Sequence, residues 1–177
     1  MSTTTSTSQP AGSPGQDGDA GRPPTRWLDA EEQRAWRSYL RAARLLDEEL
    51  RRGLECHGLS HPEYEILVRL SEAPGRALRM SEIAGEVVSS RSRLTHTVAR
   101  LERDGLVARR ASTCDRRGVE CALTDRGFEV LEQAAHTHVE QVRTHLVDPM
   151  SREQFLALGA AMQQVAVALD PKGLHPV

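Results

Sequence analysis

The stretch from Leu106 to Leu123 limits the choice of fold more than any other part of this chain. Two short strand-like runs, 106–111 and 119–123, flank a polar, charged tip at 112–118. Val119, Cys121 and Leu123 alternate towards one side, as a half-buried strand requires. Two runs of this length predict a single small hairpin. Around it the chain carries helical, not strand, periodicity.

Before the hairpin, Trp36, Tyr39, Leu40, Ala43, Leu46, Leu50 and Leu54 recur at helical spacing. Asp29 with Glu32 three positions on makes a capping-box start for that helix. Ser60-His61-Pro62-Glu63 starts a second helix, with Ile66, Leu67 and Leu70 inward, and Pro74-Gly75 ends it. A short helix follows with Ile83, Ala84 and Val87 inward. Ser90 reads as the cap of the next helix, whose Leu94, Val98 and Leu101 form one narrow apolar stripe. After the hairpin, Thr124 caps a long helix bearing Phe128, Leu131, Ala135, Val142 and Leu146 on one face. Ser151-x-x-Gln154 caps the last helix, with Phe155, Leu158, Met162, Val165 and Leu169 at three-four spacing. The helices are expected at about 29–54, 60–73, 80–87, 90–104, 125–147 and 151–169, and the wing at 106–123. Residues 1–26 lack apolar periodicity and read as a disordered tail. The fold class expected is mainly α with a small two-stranded β-wing, a winged helix-turn-helix lobe, in one domain over 27–177.

Only 3% of residues are aromatic, so the core must come from Leu, Val, Ala and Met, which favours helices over a β-sandwich. The three cysteines, Cys56, Cys114 and Cys121, show no paired spacing for structural zinc. His136-x-His138 points apart on a helix, and no acid or cysteine clearly joins His138 and His145, so no metal and no cofactor are expected. With no signal-peptide-like or membrane-spanning run, a cytoplasmic location without membrane contact is expected. Gly-rich phosphate loops, nucleophile elbows and H-E-x-x-H are missing from the sequence, so no enzymatic activity is expected.

The formal net charge of −2 hides a local excess. Between Arg91 and Arg117 stand eight arginines and only Glu102, Asp104 and Asp115 as acids, a net +5 on that segment. Phosphate attraction is local, screened within about 10 Å, so this segment matters more than the average. With the apolar stripe of the 90–104 helix inward, Ser92, His96, Ala99 and Arg103 point outward and Thr95 lies on the flank. That face is slim and polar, as a major-groove reader must be; a solvated face of an ordinary helix has the same pattern. Asp115-Arg116-Arg117-Gly118 places two guanidiniums at the hairpin tip. Arginine suits the strong negative potential of a narrow minor groove. Asp115 is positioned to brace Arg117, leaving Arg116 free to insert.

The residues Asp115-Arg116-Arg117 with Leu123-Thr124-Asp125-Arg126-Gly127 resemble the D-x-R-x(5)-L-T-x-x-G wing signature of the MarR family of winged helix-turn-helix regulators. Ser81-Glu82-Ile83-Ala84 is similar to that family's S-E-L-A helix start. Ser90-x-Ser92-x-Leu94-Thr95 and Leu101-Glu102-Arg103-Asp104-Gly105-Leu106 resemble its recognition helix. The resemblance covers about 29–169. It implies a homodimer, joined through 29–54 and 125–169, that binds a palindromic operator in double-stranded DNA. It also implies that Ser90, Arg91, Ser92, Thr95 and His96 meet phosphate and bases and that Arg116 meets the minor groove. Arg103, Arg110 and Arg117 are the further DNA contacts expected from the basic segment itself. His96 stands where several relatives carry arginine.

Members of the family commonly release DNA when a small aromatic ligand or an oxidant acts. Trp36, Tyr39, His57 and Tyr64 are the candidate pocket residues here, although aromatics at helical spacing are ordinarily core. Cys114, among arginines at the tip, is the candidate redox residue. The function expected is a sequence-specific DNA-binding regulator, a repressor released by a small molecule. The alternatives are a cysteine-based redox-responsive regulator and a winged-helix protein-interaction module that does not bind DNA.

Overall fold

A computed structural model describes residues 24–86, 91–111 and 119–170, with the backbone alone at 85, 86 and 91. Most of the expected tail, 1–23, lies outside them. The described residues divide into two units, one ending at Arg37 and one beginning at Ser38. In the first, Asp29 Oδ1 accepts from the backbone N–H of Glu31 and Glu32 at 2.7 and 2.9 Å, and Glu32 returns the bond to Asp29 N–H at 2.9 Å. This reciprocal cap opens helix α1, Ala30–Glu55.

In the second unit the order is α2 (His61–Glu72), β1 (Ala77–Arg79), α3 (Met80–Glu86), α4 (Arg91–Arg103), β2 (Val107–Ala111), β3 (Val119–Leu123), α5 (Asp125–Val142) and α6 (Arg152–Leu169). The core gathers Leu54 from α1, Ile66, Leu67 and Leu70 from α2, Ile83 from α3, Leu94, Val98 and Leu101 from α4, and Leu131 and Ala134 from α5. Burying each large apolar side chain contributes roughly 1.5–3 kcal/mol.

The hairpin is part of a three-stranded sheet, ordered β1-β3-β2. Ala77, Leu78 and Arg79 pair antiparallel with Ala122, Cys121 and Glu120. Three residues are too few for an alternation to register, which is why the sequence suggests two strands. The inward alternation expected of β3 holds at Cys121 and Leu123 but not at Val119, which is 46% exposed. Val119 pairs with Ala111, one residue past the end of β1, so only one neighbouring strand reaches it.

After α5 the helix widens into a π-helical stretch, Arg143–Val147, where Asp148 N–H donates to Arg143 O at 2.8 Å. α6 exposes Leu156, Met162, Val165, Val167 and Leu169. No helix among the described residues is long and apolar enough to cross a membrane.

Candidate nucleic-acid interface

α4 is held from three sides. Its inner stripe is the core contact: Leu94, Val98 and Leu101 are at most 3% exposed. Ser92, Thr95, His96, Ala99 and Arg103 all lie on the exposed side. Gly105, at φ +74°, lets the chain leave the helix in the left-handed conformation that a Cβ disfavours. Gly105 N–H then donates to Glu102 O at 3.0 Å and Leu106 N–H to Leu101 O at 2.9 Å, with Leu101 and Leu106 both buried. This Schellman arrangement satisfies the last carbonyls of α4 and aims the chain into β2.

The second hold is Glu102. Its carboxylate accepts from Arg109 Nε at 2.8 Å and Arg109 backbone N–H at 3.1 Å, and lies 2.6 Å from Nη2. These hydrogen bonds draw the carboxyl below the usual range. The pair fastens α4 to the first strand of the wing.

The third is Glu63, the buried charged residue at the N-terminus of α2. Its Oε2 accepts from Ser60 N–H at 2.8 Å and Ser60 Oγ–H at 2.7 Å, and its Oε1 lies 2.9 Å from Arg100 Nε of α4. Arg100 Nη2 also donates to Gly58 O at 3.3 Å.

The far end of the wing is tied by Thr124. Its Oγ1 accepts from Gly127 N–H at 2.9 Å, capping α5, and approaches the Gly105 carbonyl at 2.8 Å as a donor. Its backbone N–H donates to Leu106 O at 3.1 Å. The L-T-x-x-G run is therefore a joint between the start of β2 and the start of α5.

The expected site residues fall into distinct groups. Ser92, Thr95, His96 and Arg103 share the exposed side of α4, and Arg103 reaches Asp104 at 3.4 Å. Arg110 faces Glu120 across the β2–β3 pair at 3.3 Å. Arg91 is placed by its backbone at the start of α4. Ser90, Cys114, Asp115, Arg116 and Arg117 lie outside the described residues. Two acids outside the basic segment, Glu63 and Glu120, each engage one of its arginines, so the raw +5 overstates the charge open to a partner.

Of the candidate pocket residues, Trp36 and Tyr39 are half exposed. His57 Nε2 and Thr137 Oγ1 are 2.8 Å apart, and the Tyr64 ring is 4.8 Å from His138, whose centroid is 6.2 Å from His61. Burial pushes the Tyr64 hydroxyl pKa up. Burial, and then the neighbouring His61, push the His138 pKa down. A histidine lowered on folding binds its proton more readily in the unfolded chain. Stability should therefore fall as pH drops below the ordinary imidazole value of about 6.5. Thermal unfolding from pH 7.5 to 5 checks this: His138→Phe should flatten the decline, and an unchanged decline would remove His138 as its source.

Sequence reasoning overlooked Glu63 and Arg100 as partners. The Ser60-x-x-Glu63 cap is legible, but the approach of Arg100 is a product of tertiary packing. Cys121 is fully buried, and burial, with Glu102 nearby, raises its thiol to about 11, so it is held as a thiol.

A sequence profile described as MarR family matches residues 59–119. The transcriptional regulator PecS of Dickeya dadantii is 32% identical over 140 residues, 78% of this chain and 83% of PecS. A MarR family transcriptional regulator of Streptomyces coelicolor, solved in complex with DNA, superposes with a TM-score of 0.80 at 46% identity, covering 85% of this chain and 95% of that one. AbsC, another from Streptomyces coelicolor, gives 0.79 at 40% identity, covering 84% and 100%. The chain belongs to the MarR family of winged helix-turn-helix transcriptional regulators.

Proposed function

We propose that this regulator binds a palindromic operator as a homodimer and represses transcription until a small aromatic ligand releases it. The observation that carries the reading is the rigidly held α4, whose outer side is polar and slim while its inner stripe is fully engaged in the core. Such a helix fits a major groove. The Streptomyces coelicolor relative solved with DNA supports the same use. In this reading Ser90, Arg91, Ser92, Thr95, His96 and Arg103 meet bases and phosphates, and Arg116 the minor groove, with Arg117 beside it braced by Asp115. Arg110 contributes less, because Glu120 competes for it. The exposed apolar side chains of α6 suit a second copy of this chain, since two-fold pairing buries like against like.

For release, His57 and Tyr64 are the favoured ligand contacts, since both stand against α5. Footprinting on the gene's own upstream DNA, followed by a screen of phenolic compounds, tests the proposal. Protection of a symmetric site that a phenol abolishes is the expected result. Protection that no phenol changes would remove the ligand reading alone. Release by peroxide that disappears in Cys114→Ser would replace it with redox control. Absence of any protected site would favour a protein-interaction module.

A further inference from the structure

We infer that the Glu63–Arg100 ion pair is a positioning clamp that sets the orientation of α4 and hence the regulator's preference for its operator. The inference rests on the proposed DNA reading. Glu63 is 2% exposed, yet its carboxylate is used at both oxygens: Oε2 by Ser60 N–H and Oγ–H, Oε1 by Arg100 Nε at 2.9 Å. Arg100 is also fixed from its other end by Gly58 O, and Asp104 lies 3.9 Å from Nε. The cap of α2 and the flank of α4 thus share one buried carboxylate. A buried charge is costly unless paired, so any rotation of α4 about its axis must break this contact or drag Glu63 out of the cap. Arg100 sits four residues on from His96 and three before Arg103, so the angle it fixes is the angle at which that face meets DNA.

Arg100 is half exposed, and a basic residue on α4 has an obvious competing role as a phosphate contact. The two roles give opposite signs for Glu63→Gln. An amide has one acceptor oxygen, so it cannot serve both Ser60 N–H and Arg100 Nε–H, and one side of the clamp is lost. If Arg100 is a clamp, Glu63→Gln weakens operator binding on the order of tenfold. Binding to unrelated DNA, and its dependence on salt, stay as in the wild type, because the number of phosphate contacts is unchanged. If Arg100 is a phosphate contact restrained by Glu63, the same change strengthens binding to unrelated DNA.

The experiment is a double-mutant cycle of Glu63→Gln and Arg100→Met, measured on operator and on unrelated duplex at several salt concentrations. Urea unfolding of every variant keeps folding losses apart from binding. The clamp predicts that either single change lowers operator affinity and that the second adds little to the first. Additive effects, or a Glu63→Gln variant that is folded and binds operator as tightly as the wild type or tighter, would overturn the clamp. A wild-type protein with no salt-sensitive DNA binding would overturn the DNA reading instead.

Discussion

Gly127→Ala is expected to destabilise the fold by about 3 kcal/mol or more, enough to leave a small domain marginal. A Cβ at 127 would meet the Leu106 carbonyl group, with the carbonyl carbon at 2.9 Å, and Leu123 Cδ1 at 2.8 Å. The leucine tip can swing aside, but the backbone carbonyl cannot. It accepts the Thr124 N–H at 3.1 Å and lies 3.1 Å from Thr124 Oγ1, so displacing it loosens both the cap of α5 and the start of β2. Thr124→Ala removes only the side-chain part of that joint and should cost about 1 kcal/mol. Urea midpoints at constant slope measure both. Equal midpoints for Gly127→Ala and the wild type would mean that α5 and β2 are not packed this tightly.

His96→Glu should abolish specific DNA binding while the protein stays folded. His96 is exposed on α4, on the side away from Leu94 and Val98, so its replacement should move stability by no more than about 0.5 kcal/mol. A carboxylate there would face the phosphates and acceptor edges of the major groove without a compensating cation. Like charges brought together at an interface cost several kcal/mol, which is a loss of roughly 100-fold or more in affinity. Direct titration against operator, with circular dichroism as the folding control, reads the effect. Affinity within threefold of wild type would take the outer side of α4 off the DNA.

Local chemistry made much of this legible in the sequence. Asp29, Ser60, Thr124 and Ser151 are short polar residues before apolar-periodic runs, and the structure uses them where helices begin. The inward stripe of α4 could be read because period and burial agree from Leu94 through Val98 to Leu101, about two turns. β1 escaped notice because three residues carry no period, and Val119 because its exposure depends on where β1 ends. The joins between elements were illegible for the same kind of reason. Arg100 looks like one more cation in a basic run until folding brings Glu63 against it from 37 positions earlier. Arg109 and Arg110 likewise count as free charge in the sequence, and the fold pairs them with Glu102 and Glu120. Among the described arginines, Arg100, Arg109 and Arg110 therefore help to build the lobe, and Arg103 lies on the exposed side of α4.

If the outward-facing charge of α4 meets DNA, binding must depend on salt. The affinity of the purified protein for its own upstream duplex, followed from 50 to 200 mM salt, reads this. A protein neutralising about six to ten phosphates loses roughly 10³ to 10⁵ in affinity over that range, and the logarithm of affinity falls linearly with the logarithm of salt. That slope, together with tighter binding to the upstream duplex than to unrelated sequence, is the predicted result. Binding that is indifferent to salt, or no binding at 50 mM, would mean that this face does not meet DNA.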